Sequence, residues 1–217
     1  MIVRSARDED LPAAADLLAR AFRDNPLNRA LLRGGESHRE RANHAGLRAT
    51  LPVSLRHGEI LCASERRELA GVLIAAPPGS FPFPAPPVPK RLRAMWAQGA
   101  RASQRFASLF EMLCARHPVV PHWYLATLGV EPERQGGGIG SRLLEAWLAD
   151  VDRRVGTAYL ETDRESSRRF YESVGFGVVD SFVFCGVRLW QMQRPSRRRC
   201  HTATAERGLH HRWGNAG

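Results

Sequence analysis

The stretch that decides the fold is Leu128–Leu144, "LGVEPERQGGGIGSRLL". Three consecutive glycines and a fourth two places later separate an apolar run from an amphipathic one. Each glycine costs roughly 0.5–1 kcal/mol inside a regular element, so their concentration indicates that something approaches the bare backbone here. A strand, a glycine-rich turn and a helix in this order favour an anion site, because the free N–H groups and the dipole at a helix start attract negative charge.

Three phosphate-binding interpretations compete for this turn. A P-loop requires GxxxxGK[ST], but the chain contains one lysine, Lys90, far from the turn. A dinucleotide fingerprint requires GxGxxG or GxGxxA close behind a strand; here the third position is Ser141 and five residues intervene after Val130, although Glu161 lies near the spacing of the ribose-binding acid. The segment Gln135–Gly140 fits Q/R-x-x-G-x-G/A, a pyrophosphate turn for coenzyme A. A glycine-rich loop without a ligand is the remaining alternative.

Hydrophobic periodicity around this stretch predicts a mixed α/β (α+β) domain. Strands are predicted over 2–6, 59–65, 68–77, 122–130, 157–163, 176–184 and 187–193. Helices are predicted over 8–22, 26–32, 36–57, 90–116, 138–154 and 165–175. Pro52 should kink or break the third helix, and the long helix over 90–116 should bury Leu92, Met95 and Trp96. We expect one domain over 1–194, followed by a basic, disordered tail over 195–217.

Composition narrows the class of protein. Hydrophobic residues make up 43% of the chain, enough for a substantial core, and the net charge is +10. Four of those charges fall in 195–217 and the rest are spread without a like-charge block, which favours a solvated basic surface over a nucleic-acid interface. No apolar run reaches the ~18 residues of a membrane helix, the start lacks a signal-peptide core, and the four cysteines show no metal-site spacing. We therefore expect a cytoplasmic protein with no metal, nucleic-acid partner or membrane partner.

At the level of family, "LGVEPERQGGGIGSRLL" followed by "YLETDRESSRRFYESVGF" resembles the GNAT superfamily of acetyl-CoA-dependent N-acetyltransferases. The likeness covers roughly Ile2 to Arg194. Within the superfamily, "HWYLATLGVEPERQGGGIGS", "LETD", "FYESVGF" and "RLWQM" are similar to the puromycin N-acetyltransferase group. The resemblance implies a central twisted mixed sheet of about six to seven strands flanked by helices. In that fold the strands at Leu125–Val130 and Thr157–Thr162 splay apart.

The resemblance also implies how acetyl-CoA, the co-substrate, is held. An amide-rich pantetheine arm would bond to the free strand edge as a false neighbouring strand. The backbone of Leu128 and Val130 would supply that edge, and Arg134 or Arg142 would neutralise phosphate charge. The residues implied for the pyrophosphate turn are Gln135, Gly136, Gly137, Gly138, Gly140 and Ser141.

Catalytic roles follow from the same resemblance. Tyr171 matches the general acid at the thiol, and a phenol is protonated at neutral pH. The general base stays open between Glu161, His122 and a water path, and a backbone N–H near Leu128 would stabilise the oxyanion. The family often has asparagine four positions before the tyrosine, where this chain has Ser167.

The acceptor pocket should lie near the helices around Phe22–Leu32 and the loop Phe81–Pro87, with Asn25, Tyr124 and Trp190 as candidate substrate-binding residues. We expect transfer of an acetyl group from acetyl-CoA to a primary amine of a small molecule, an amine antibiotic or metabolite, by direct attack in a ternary complex. The alternatives are acetylation of a protein N-terminus or lysine, and an acyl-CoA-binding regulator without turnover. The chain is expected to be a monomer or homodimer.

Overall fold

The computed structural model describes residues 1–65, 68–154 and 156–196. The predicted basic tail lies outside these residues from position 197 onward. The strands are β1 Ile2–Ser5, β2 Glu59–Glu65, β3 Glu68–Ala76, β4 Trp123–Val130, β5 Ala158–Thr162, β6 Gly177–Phe184 and β7 Val187–Arg194. The helices are α1 Leu11–Phe22, α2 Pro26–Leu32, α3 Glu36–His57, α4 Val88–Gln98, α5 Ala100–Arg116, α6 Ile139–Arg153 and α7 Glu165–Ser173.

The seven strands form one mixed sheet in the order β1-β2-β3-β4-β5-β7-β6. All neighbours pair antiparallel except β4 and β5, which are parallel. A parallel pair needs a crossover connection, and α6 provides it. The predicted fold class, a mixed α/β sheet of six to seven strands flanked by helices, is confirmed.

Helices cover both faces of the sheet. On one face, α6 buries the apolar stripe expected from its sequence (Leu143, Leu144, Trp147, Leu148 and Val151), and full burial of each such side chain stabilises the fold by about 1.5–3 kcal/mol. Tyr171 and Phe176 join this cluster. On the other face, α1 and α3 pack on β2 and β3, and α2 and α5 pack on β6 and β7.

Two local predictions differ from the structure: the long helix is divided, and the third helix has no break at Pro52. The predicted long helix is two helices, because Gly99 adopts φ 83° and interrupts it between α4 and α5. As a result α4 buries Ala94 alone, and Leu92, Met95 and Trp96 are exposed, the last by 87%. Conversely, α3 continues through Pro52. None of the described helices has the length and apolar character needed to cross a membrane.

Candidate active site

The parallel strands β4 and β5 separate after three residues. Trp123, Tyr124 and Leu125 of β4 lie opposite β5, and the pairing stops there although β4 continues to Val130. On its other side β4 has a β-bulge: its register with β3 shifts so that Ala126 has no partner. A bulge bends the strand and increases its twist, which accounts for the gap. The splayed strand pair predicted for the fold is therefore present.

The free edge of β4 presents backbone groups to this gap. Glu131 N–H donates to the Ala70 carbonyl of β3 at 3.0 Å. Along a strand of an antiparallel pair, the N–H and C=O groups of successive residues point alternately toward the partner strand and away from it. The N–H and C=O groups of Leu128 and Val130 therefore point away from β3, toward the gap. The Val130 carbonyl accepts a hydrogen bond from Gln135 Nε2 at 3.1 Å, which agrees with this direction.

Beyond β4 the glycine turn leads into α6. Gly136 and Gly138 adopt φ 80° and 79°, and a Cβ at either position would meet nothing within 4 Å. The first helical bond of α6 is from Arg142 N–H to the Gly138 carbonyl, so the N–H groups over 139–141 have no helical partner. Residues 135–138 are exposed, and no side chain caps α6. Free N–H donors, open space and the helix dipole make this turn suitable for a diphosphate.

Side chains next to the turn have other partners. Arg134 forms an ion pair with Glu68 of the β2–β3 hairpin, and the Gln135 amide is bonded to Val130. The Arg142 guanidinium has no ion pair within the described part of the chain. Two arginines were considered for neutralising the phosphate charge. Of these, Arg142 could bind a phosphate without first breaking an ion pair.

A group of polar and aromatic side chains lies on the face of the sheet opposite α6. In register, Tyr124 is opposite Tyr159, and Glu161 is opposite Gln191. Because side chains alternate along a strand, all four point to the same face, toward α5. Phe81 of the proline-rich loop packs edge-on against Tyr124 with ring centroids 4.7 Å apart.

The Glu161 carboxyl is buried in this group. Burial raises its pKa, and polar interactions with the hydroxyls of Tyr124 and Tyr159 oppose the shift. Its Oε1 atom is buried, and nothing in the described residues donates a hydrogen bond to it. A carboxylate whose pKa is raised is a stronger proton acceptor than an exposed one.

His122 is buried in a pair with His117, a residue that the sequence did not single out. Its Nδ1 lies 2.7 Å from the Val120 carbonyl, and its Nε2 lies 2.9 Å from Nε2 of His117. Both ring nitrogens of His122 are thus engaged, which leaves neither free to accept a proton from a substrate. Burial and the proximity of His122 lower the pKa of His117 to about 4. We therefore prefer Glu161 to His122 as the candidate base.

Tyr171 and Trp190 lie on the α6 side of the sheet. Tyr171 is 8% exposed and packs with Phe176 at 5.8 Å between ring centroids; burial raises its pKa. Trp190 packs against the same cluster. It lies opposite Thr162 in the β5–β7 ladder, and Thr162 follows Glu161, so the side chains of Trp190 and Glu161 point to opposite faces of the sheet. The side chains of the candidate substrate-binding residues Trp190 and Tyr124 thus point to opposite faces of the sheet.

The start of α2 is fixed near the end of β5. Leu27 N–H donates to Asp163 Oδ2 at 2.8 Å, and Asp163 directly follows β5. Asn25, half-buried immediately before α2, is therefore held over the end of β5 nearest the gap. Asp24 forms an ion pair with Arg39 instead.

Sequence reasoning missed three members of the group near Glu161: His117, Tyr159 and Gln191. Tyr159 could have been found, because it lies two residues before Glu161 on a predicted strand. His117 and Gln191 reach the group through tertiary structure, and no local signal marks them. A groove of about 1020 Å³ between α1, α3 and α4 is lined by none of the candidate residues.

Comparison with known proteins agrees with this geometry. A family model described as an acetyltransferase (GNAT) domain matches residues 103–178, which include β4, the glycine turn, α6, β5 and α7.

Solved structures share the fold. One described as histone acetyltransferase HPA2 and related acetyltransferase, from Corynebacterium glutamicum, is 22% identical, covering 92% of this chain and 98% of that one, with a TM-score of 0.68. The ribosomal-protein-S18-alanine N-acetyltransferase of Escherichia coli is 16% identical, covering 94% and 99%, with a TM-score of 0.56. The PaiA N-acetyltransferase of Thermoplasma acidophilum, in complex with coenzyme A, is 14% identical, covering 89% and 98%, with a TM-score of 0.55. Over residues 103–178 the chain is therefore similar to a GNAT acetyltransferase domain, and it shares its fold with these solved acetyltransferases.

Proposed function

We propose that this protein transfers an acetyl group from acetyl-CoA to a primary amine of a small molecule, by direct attack in a ternary complex. The observation that carries the proposal is the gap between β4 and β5. An exposed donor-rich turn follows the strand on one side of this gap, and a buried carboxyl lies on the opposite face of the sheet.

The chain's own residues fit acetyl-CoA, which supplies the acetyl group as an activated thioester. The N–H groups over 136–141 bind the diphosphate, with Arg142 as the available cation. Leu128 N–H and C=O and Val130 N–H bind the pantetheine amides, since the Val130 carbonyl already accepts from Gln135. Arg134 plays a lesser part because of its ion pair with Glu68.

Glu161 acts as the general base toward the amine. Burial raises the pKa of Glu161, so that it lies closer to the pKa of an alkylammonium group. Its Oε1 accepts no hydrogen bond from the described residues and can accept one from an N–H donor. Asn25 and Tyr124 contact the acceptor from α2 and β4. His122 has a structural role: it holds the His117 ring against Tyr124 and Tyr159.

Tyr171 donates its phenolic proton to the sulfur atom as the thiol departs, and Leu128 N–H stabilises the charge on the carbonyl oxygen. Acid and base are then on opposite faces of the sheet, joined through the gap. Burial keeps the Tyr171 hydroxyl protonated, as this role requires.

The covered acceptor side supports a small acceptor. Phe81 and Phe83 pack against the cluster of Ala76, Tyr124 and Tyr159, and a cavity of about 150 Å³ lies between Phe81, His117, His122 and Tyr124. Trp96 is exposed and takes no part in this cover. A protein N-terminus is the second candidate, because the similar enzyme of E. coli is named for an alanine of a ribosomal protein.

The test is a thiol-release assay with acetyl-CoA over a panel of amines. The panel contains polyamines, aromatic amines, puromycin and peptides with a free N-terminus or a lysine. We expect one or more small primary amines to be acetylated. Puromycin is included because of the motif resemblance, although members of that group tend to carry an aromatic residue in place of Asn25. Turnover of peptides alone would support the protein acceptor, and coenzyme A binding without turnover of any amine would indicate a non-catalytic acyl-CoA-binding regulator.

A further inference from the structure

The orientation of the Gln191 side-chain amide is fixed by its partners. Its Nε2 donates to the Arg116 carbonyl at 3.2 Å and to the Tyr159 hydroxyl at 2.5 Å. A backbone carbonyl can only accept, so the nitrogen must face α5, and the amide cannot be flipped. Oε1 of Gln191 then points elsewhere as a pure acceptor.

Two buried acceptors result, side by side. Oε1 of Gln191 and Oε1 of Glu161 are both buried, and no group in the described residues donates to either. The two residues are direct partners in the β5–β7 ladder, so their side chains leave the same face of the sheet next to each other. Gln191 is 4% exposed. Buried acceptors without donors are costly and rare in folded proteins, so the pair calls for a ligand that supplies donors.

The chemistry of that ligand follows from the pair. It must bring at least two hydrogen-bond donors on one atom or on adjacent atoms, and a positive charge suits the carboxyl. The rings of Tyr124 and Tyr159, with centroids 6.0 Å apart, are apolar walls that also favour a cation. A protonated primary amine has three N–H donors and a positive charge. A hydroxyl has one donor and no charge.

We propose that Gln191 is a specificity-determining residue that holds the acceptor nitrogen beside Glu161, and thereby selects primary amines. This inference rests on the proposed function. One N–H proton of the ammonium passes to Glu161, and a second stays in a hydrogen bond to Gln191 Oε1. The lone pair so released attacks the acyl carbon. As the C–N bond forms and the C–S bond breaks, the sulfur takes the proton of Tyr171, and the third ammonium proton leaves the nitrogen through solvent and reprotonates Tyr171.

The test uses Gln191→Met, which keeps side-chain length and removes the acceptor, with Gln193→Met as matched control. Gln193 lies on the same strand and face, and is half-buried. With the panel amine of highest kcat/KM, Gln191→Met should raise the amine KM roughly 10-fold or more, since a hydrogen bond to a charged group is lost. The KM for acetyl-CoA should stay near wild type, whereas the thermal midpoint should fall because the bonds from Nε2 to Arg116 and Tyr159 are lost. Gln193→Met should change neither KM.

A second measurement needs only the wild-type enzyme. Benzylamine, N,N-dimethylbenzylamine and benzyltrimethylammonium carry three, one and no N–H groups when charged. As competitors of the amine, benzylamine should bind at least about 10-fold more tightly than the other two, and Gln191→Met should remove most of this preference. Equal inhibition by the three compounds would overturn the proposal.

The possible failures are distinguishable. If wild type acetylates no amine, the proposed function fails and this inference with it. If wild type is active but Gln191→Met keeps the amine KM and the preference for N–H groups, only this inference fails. If Gln191→Met lowers the thermal midpoint while both KM values stay unchanged, the amide has only a structural role and the proposal is wrong.

Discussion

The substitution Gly138→Glu tests the proposed diphosphate site directly. Gly138 is the residue before α6, with φ 79° and nothing within 4 Å of a Cβ, so a glutamate there has space. It places a negative charge at the free N–H groups of the helix start. Gly186, in the β6–β7 turn, has φ 80° and equal space, so Gly186→Glu carries the same backbone cost of about 1–2 kcal/mol away from the site.

The magnitude follows from Coulomb repulsion. Two negative charges ~6 Å apart repel by about 0.7 kcal/mol at the dielectric constant of water and about 3 kcal/mol at an effective value of 20. The two charges of a diphosphate double this to ~1.4–6 kcal/mol, which is a ~10-fold or larger loss of affinity. The loss should shrink as salt screens the charges.

The assay is calorimetric titration of coenzyme A into wild type, Gly138→Glu, Gly138→Ala and Gly186→Glu at two salt concentrations. We expect the alanine variant to lose little beyond the strain of its backbone, and Gly186→Glu to bind as wild type does. If Gly138→Glu binds coenzyme A within twofold of Gly186→Glu, the turn does not hold the diphosphate, and the proposed function loses its foundation.

Three further outcomes are expected. Tyr171→Phe should lower kcat by roughly 10²-fold or more with little change in the dissociation constant of coenzyme A; equal loss of both would mean that Tyr171 only packs. Glu161→Gln should lower kcat/KM by a similar factor and abolish the acidic limb of its pH profile. That limb should lie above the usual carboxyl range, because the base must be ionised and burial raises its pKa; a limb at the ordinary pKa of glutamate would contradict the assignment. His117 has its pKa lowered to about 4, so between about 6.5 and 4 the unfolded chain binds a proton that the folded one does not. Wild type should therefore lose stability relative to His117→Phe as pH falls through this window, by on the order of 1–2 kcal/mol after allowing for partial exposure, measurable by urea unfolding at pH 7 and 4.5.

The elements around the glycine turn could be predicted because their signals are local. The apolar run of β4, the glycines and the 3.6-residue stripe of α6 lie within 30 residues, and each agrees with its neighbours. The gap was expected from resemblance alone. Its physical cause, the bulge at Ala126, depends on the register of β3 against β4, which no local pattern encodes.

The acceptor side was less predictable for the same reason. Which side of the sheet Trp190 faces is decided by the β5–β7 register, and a shift of one residue inverts it. Gln191 is bonded to Arg116, 75 positions away in sequence. For α4, the apolar stripe predicted a helix correctly but predicted its burial wrongly. Gly99 ends the helix, and most of the stripe has no packing partner among the described residues.

The proposed recognition of acetyl-CoA through the edge of β4 would place two separate requirements on the same residues. The side chains of Leu128 and Val130 only have to pack against α6, whereas their peptide groups face the gap. Evolution can therefore exchange one aliphatic residue for another there without disturbing what the main chain offers. Under this proposal proline is the substitution that ligand binding would exclude, because it has no N–H. A binding surface made of backbone groups depends on the path of the main chain. It is retained through substitutions that would destroy a site built from side chains.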